Sequence, residues 1–224
     1  MYLHSLRHTR TRAGFAAALA VAVCLPSFAA GDASSSPFWG LELVPSKNVA
    51  ALYRRPDSDL SAYGKIMIGE PEVEFSKNWN PRNYGTYGLS ATQLKQMRTD
   101  LAAMAKNTFA QVLGDGGYEI VTQAGDGVLL ITPNIVNVFV NAPDIQRPGR
   151  TKTYSMEAGS ATLVLQVNDA VSGTLLAVVL DSKSSGQSTL RWTTGVSNRA
   201  AATALLKNWA GQLKRELDEA RANY

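Results

Sequence analysis

Glu70, Glu72 and Glu74 alternate along one short segment and form the densest set of chemically capable side chains in the chain. Alternate residues of a strand share a face, so three carboxylates there could hold a divalent cation or do acid–base work. The ordinary role of such a row is the solvated face of a half-buried strand, and that is the reading adopted. Asp57 and Asp59 flank Ser58 beside Arg54 and Arg55. Local ion pairs are expected there, worth about 0–1 kcal/mol each. Asp115 and Asp126 stand next to glycines, but EF-hand spacing is missing and they read as turn residues. No metal site and no cofactor site is expected.

The remaining catalytic inventory is short, because of the first 29 residues. Arg7, Arg10 and Arg12 precede an apolar, alanine-rich run from Ala13 to Leu25, followed by Pro26 and Ser27-Phe28-Ala29-Ala30. A basic start, an apolar stretch of this length and a small-x-small site make a secretory signal peptide over residues 1–29, cut before Ala30. The run is too short to cross a bilayer, which takes about 20 apolar residues. Cys24 closes the apolar run where a lipoprotein signal places its lipidated cysteine, but Val23 before it is a poor match. The expected product is periplasmic, or anchored to the outer membrane if Cys24 is lipidated.

The same segment holds His4, His8 and Cys24, so the exported part has neither histidine nor cysteine. The commonest general base at neutral pH is then absent, as are thiol catalysis and thiolate metal sites. There is no Gly-x-Ser-x-Gly elbow, no Walker loop and no Gly-x-Gly-x-x-Gly. Without the three arginines of the segment, 19 basic residues face 18 acidic ones. A net charge of +1 lacks the cationic footprint of a nucleic-acid binder. No catalytic residue is assigned.

The best candidate for a binding surface is the stretch 79–87, Trp-Asn-Pro-Arg-Asn-Tyr-Gly-Thr-Tyr. Trp79, Arg82, Tyr84 and Tyr87 are of the types that dominate interface hot spots. The Asn and Gly between them allow adaptable hydrogen bonding, and the composition also suits stacking on sugar rings. The alternative is that the aromatics fold back on the core edge, with Trp79 as the plug.

Several elements must position these residues. Residues 30–37 read as a flexible leader and residues 38–224 as one domain, with 38–60 irregular. Lys65–Phe75 reads as a strand that Pro71 forces to an edge or a bulge. Ser90 and Gln93 make a capping box for a helix with the stripe Leu94, Met97, Leu101, Met104, Thr108 and Val112, ending at Gly114. Strands are expected at Tyr118–Thr122, Leu129–Asn141, Ala161–Asn168 and Thr174–Asp181. Asp169–Gly173 is the hairpin turn between the last two, and 143–157 is a loop. A last helix spans about Ser197–Ala222, with Leu205, Trp209, Leu213 and Leu217 inward, and Lys214–Asp218 and Arg215–Glu219 paired outward. The order predicts an α+β fold, a mostly antiparallel sheet with two helices packed on one face.

The stretch from Leu52 through Arg54-Arg55-Pro56-Asp57 to Tyr63, with Trp79, resembles the opening of an uncharacterised bacterial family catalogued as domain of unknown function 3313. Gly117–Val121, Gly125–Pro143, the hairpin Asp169–Gly173 and Asn208-Trp209-Ala210 resemble it too. The likeness spans about residues 40–222. It implies an exported envelope protein, many members being described as lipoproteins, and it supplies no catalytic residues. The function expected is that of a non-catalytic domain binding an envelope protein or cell-wall component. Alternatives are a carboxylate-based glycan hydrolase, marked by two acids facing one cleft, and a carrier of a small apolar ligand, marked by a deep pocket between helices and sheet.

Overall fold

The computed structural model describes residues 36–38, 40–56, 58–80, 82, 88–140, 154–155, 159–184, 191–192 and 195–222. The signal segment, Cys24, Asp57, Tyr84 and Tyr87 lie outside them.

The strands are β1 (Glu42–Val44), β2 (Ala51–Arg54), β3 (Lys65–Ile68), β4 (Val73–Phe75), β5 (Glu119–Ile120), β6 (Val128–Val140), β7 (Tyr154–Ser155), β8 (Gly159–Asp169), β9 (Leu175–Ser184) and β10 (Arg191–Trp192). The helices are α1 (Ala91–Asp115) and α2 (Gly195–Ala222). Eight strands form one sheet in the order β1-β2-β9-β8-β6-β3-β5, with β4 also on β6, while β7 and β10 pair separately. The β1-β2, β2-β9, β9-β8 and β8-β6 pairings are antiparallel. The β6-β3, β3-β5 and β6-β4 pairings are parallel. The fold is therefore α+β on a mixed sheet, antiparallel for most of its width.

Several expectations need correction, among them that 143–157 is a loop, since it holds β7. Residues 38–60 are not irregular: they hold β1 and β2, which extend the sheet past β9. The expected strand Lys65–Phe75 is two strands, and the reason lies in its neighbour. Ile131 and Ile135 turn their backbone groups to this side of β6, accepting from Gly69 at 2.9 Å and donating to Glu72 at 2.8 Å. Pro133 has the same parity and no N–H to offer. The ladder lapses opposite it, and the gap between β3 and β4 carries Pro71. The lapse also removes Glu70 and Glu72 from any regular strand face.

The rest of β6 and the hairpin follow the pattern in the sequence. Leu129, Ile131, Ile135, Leu163, Leu165 and Val167 are buried. Asp169 closes the hairpin by accepting from the Ser172 amide at 2.7 Å, and Gly173 takes φ +70°, a conformation open to glycine without strain. A bulge between Val136 and Phe139 is turned by Asn137 at φ +52°; asparagine tolerates that region better than most residues.

Helix α1 begins at the expected capping box, with both Ser90 and Gln93 side chains engaged. It runs past Gly114 to Asp115, and Gly117 rather than Gly114 takes the left-handed conformation, at φ +97°. Its deepest residues are Ala105, Thr108, Phe109 and Leu113, so the buried face is rotated from the expected stripe. Leu101, Met104 and Val112 pack at its flank, half-buried. In α2 the buried residues are Leu206, Trp209, Ala210, Leu213, Leu217 and Ala220. Both helices share one apolar cluster with Leu163, Leu165, Val167 and Val179. A smaller cluster of Leu41, Tyr53 and Val178, with Phe38 packed edge-on to Tyr53, forms separately.

Candidate functional site

The acidic residues do not assemble. Glu70 is exposed and pairs with Lys106. The Glu72 amide donates to Asn134 Oδ1 at 2.9 Å. Asp59 is held by the amide and hydroxyl of Ser61 at 2.7 and 2.5 Å, not by an arginine, and these bonds lower its pKa. Arg55 donates instead to the Leu175 carbonyl at 2.8 Å. Among the described residues no three His, Cys, Asp or Glu side chains gather as metal ligands.

The stretch 79–87 is divided. Trp79 is 5% exposed. Its ring stacks on Phe75 at 4.4 Å and its Nε1 donates to the Val140 carbonyl at 2.8 Å. It is the plug of the core edge, so its indole face is not open to a partner. Arg82 is exposed, its amide donating to Asn80 Oδ1 at 2.9 Å.

A concave feature among the described residues lies elsewhere. Helix α1 lies against β3, β4, β5 and β6. Helix α2 reaches β9 through Trp209 and Asp181. Beside α2, on the flank towards the β1-β2 edge, Leu52 is buried in the cluster it shares with the helix. There a groove of about 640 Å³, its open mouth included, is floored by Leu52, Val167, Ala177 and Val179. Leu213, Leu217 and Ala220 of α2 form one wall and Val44 and Pro45 the other. Arg54, Glu216 and Glu219 line it as well.

Two polar clamps fix the width of this groove. At one end Asp181, 7% exposed, accepts from Trp209 Nε1 at 2.8 Å and from the Ala50 amide at 3.2 Å. Lys183 lies 3.3 Å from Asp181 and donates to Gln212 at 2.9 Å and to Asn208. Gln212 in turn donates to the Asn48 carbonyl. At the other end Tyr118 donates to Asp218 at 3.0 Å, and the Arg221 guanidinium lies 4.3 Å over the Tyr118 ring. Arg221 also donates to the Tyr63 carbonyl, and the Tyr63 hydroxyl reaches Asp169 at 3.0 Å. Burial, then the bond to Asp218, pushes the Tyr118 hydroxyl up to about 12, against the opposing pull of Arg221. Side chains locked at both ends of a helix give a preorganised recess.

The rim acids sit side by side. Asn48 Nδ2 donates to Glu216 at 2.8 Å and to Glu219 at 3.5 Å, and Ser46 adds a bond to Glu216 at 2.6 Å. The expected Lys214–Asp218 pair is present at 2.5 Å. Arg215, expected on Glu219, donates to Asn48 Oδ1 at 3.2 Å instead. Sequence reasoning placed Leu213 and Leu217 inward but missed the groove, because Leu52 and Arg54 stand more than 140 residues before the helix that faces them.

A family model described as "Protein of unknown function (DUF3313)" matches residues 36–213. No curated protein sequence matches the chain. Among solved structures it is similar to the PelC dodecamer from Paraburkholderia phytofirmans, at 9% identity over 70% of this chain and 94% of that one, TM-score 0.37. It is similar also to a minor lipoprotein from Acinetobacter baumannii, at 11% identity over 71% of this chain and 93% of that one, TM-score 0.35. Likenesses of this size carry no argument about function.

Proposed function

Since the chain belongs to the DUF3313 family of proteins of unknown function, we propose that it is an exported, non-catalytic domain that holds the apolar part of another envelope component in the groove beside α2. The observation that carries this reading is the groove itself. Leu52, Leu213, Leu217 and Ala220 meet there beside the polar side chains of Arg54, Glu216 and Glu219, the mixture of apolar lining and a few placed polar groups found at ligand sites. Both helices lie on one face of the sheet in this reading, and the groove runs along the flank of α2. Export rests on the signal over residues 1–29, with outer-membrane anchoring if Cys24 is lipidated. No helix among the described residues is long and apolar enough to cross a membrane.

The hydrolase reading is weaker. Acids that cleave a glycosidic bond flank it from two sides. Glu216 and Glu219 rise from one turn of one helix and share the donor Asn48.

The test uses the neutral fluorescent probe N-phenyl-1-naphthylamine, which brightens in apolar surroundings. The purified protein should bind it saturably. Val44→Trp, on the short wall of the groove, should weaken binding about tenfold or more while the urea midpoint holds. Equal probe binding by Val44→Trp, or no binding by the unaltered protein, overturns the reading.

A further inference from the structure

Unpaired basic residues gather at one end of a protein that is nearly neutral as a whole. Strands β4 and β6 are parallel and finish at that end, at Phe75 and Val140. Arg98 of α1 lies 5.5 Å over the Phe75 ring, and Phe75 stacks on Trp79. Lys77 stands two residues past Phe75, and Lys95 one helical turn before Arg98. Arg82 follows Trp79, its amide held by Asn80. The two helices run side by side in the same direction: Thr203 of α2 donates to Met104 of α1 at 3.5 Å, and Tyr118, just past α1, meets Asp218. Arg199, one turn before Thr203, therefore stands at the same end as Arg98. All five basic residues are exposed. None has an ion-pair partner among the described residues, where the pairs are Lys106–Glu70, Lys183–Asp181 and Lys214–Asp218. Of the nearby acids, Asp100 is held by Gln96 at 2.7 Å. Alternation along β4 turns Glu74 to the opposite face of the sheet from Phe75.

From this arrangement we infer that this end of the molecule docks on an anionic bilayer surface, through the phosphates of its lipid head groups. The Phe75 ring takes only the flat face of the Arg98 guanidinium. The N–H donors lie in the guanidinium plane and make no hydrogen bond within the protein. A stacked guanidinium with free donors is a preformed fork for phosphate oxygens. Lys77 and Lys95 add point charges beside it. Arg82 and Arg199 spread the charge across the width of two packed helices, whose axes lie about 8–10 Å apart. That is too wide for one phosphate and suits a layer of them. Half-buried Leu94 and Met97 alternate with Lys95 and Arg98 on the same turns of α1, the mixture of apolar and basic side chains that membrane-surface helices carry. Near-neutral total charge does not oppose such docking, because salt screens charges beyond about 8–10 Å and the acids of the far end go unfelt. The inference is independent of the groove beside α2.

The experiment sediments the purified exported protein with vesicles of phosphatidylcholine alone, or of phosphatidylcholine mixed equally with phosphatidylglycerol. The protein should follow the mixed vesicles into the pellet, stay out of the pellet with phosphatidylcholine alone, and leave the mixed vesicles as salt rises. Lys77→Gln and Lys95→Gln should each weaken binding about fivefold, and the two together with Arg98→Gln about a hundredfold, the weight of one to three basic groups near an anionic surface. Lys65→Gln, exposed at the start of β3 and so at the opposite end, should change binding less than about twofold. Arg98 also packs on Phe75, so the urea midpoint of each variant is measured; Lys77→Gln and Lys95→Gln decide the matter if Arg98→Gln loses its fold. If mixed vesicles fail to retain the protein, or Lys65→Gln weakens binding as much as Lys95→Gln, the inference is overturned. Retention on purified cell-wall sacculi and not on vesicles overturns it as well, and assigns the same charges to an anionic polymer.

Discussion

At the scale of single residues, Trp79 and Tyr118 show how a polar tip decides where an aromatic ring goes. Trp79 stacks on Phe75 and spends the one donor of its ring on the Val140 carbonyl. Trp79→Ala should therefore cost about 3–5 kcal/mol in urea unfolding, as large buried aromatics do. Arg82→Ala, three residues on and exposed, should change stability by no more than about 0.5 kcal/mol. The sequence showed a cluster of hot-spot residue types but not this division, because a tryptophan suits a core edge as well as an interface. Tyr118 offers a pH test. Its hydroxyl is raised from 10.0 to about 12 by burial and by its bond to Asp218. The folded state thus favours the protonated form, so this contribution is whole below pH 10 and is lost as pH climbs towards about 12. The urea midpoint should fall across that window, and Tyr118→Phe should flatten the fall. An equal fall in both proteins would mean that the hydroxyl is not held as described.

At the scale of elements, local signals were legible and rotations were not. The capping box of α1 was readable because its two partners are three residues apart and use only local geometry. Ser90→Ala should cost about 0.5–2 kcal/mol. The buried face of the same helix was misread by about one position. The sequence offers Leu94–Met97–Leu101–Met104 as the apolar stripe, but α2 packs beside α1 and draws Ala105, Phe109 and Leu113 inward. Phe109→Ala should cost about 3–5 kcal/mol and exceed Leu101→Ala, whose side chain is half-buried. The reverse order would mean that the helix is rotated back. Strand β6 teaches the same lesson through Pro133. The proline was visible, but the gap it faces belongs to another segment, and only the sheet register brings Pro71 and Pro133 into one place.

At the scale of the whole molecule, the α+β class was legible from the order of elements. The edge strands β1 and β2 were not. They are short, contain a proline between them and gain their meaning from β9, some 125 residues later. The groove belongs to this level alone. No segment encodes it. It lies between α2 and the β1-β2 edge, which come from distant parts of the chain. Its residues came from pieces of sequence that each had an ordinary local explanation.

The clamps on α2 have a consequence for the order in which the molecule can be completed. Ser46 and Glu216 are 170 residues apart, Asn48 and Gln212 are 164 apart, and Tyr63 and Arg221 are 158 apart. Contacts of such separation form late, because the loops they close must first be ordered. A chain that emerges amino end first, at about 5–20 residues per second, carries β1 and β2 for most of its synthesis without the helix that secures them. Helix α2 acts as a latch that is made long after the strands it fastens. Until α2 is made, Ser46, Asn48 and Tyr63 have no helix partners on which their clamps can close.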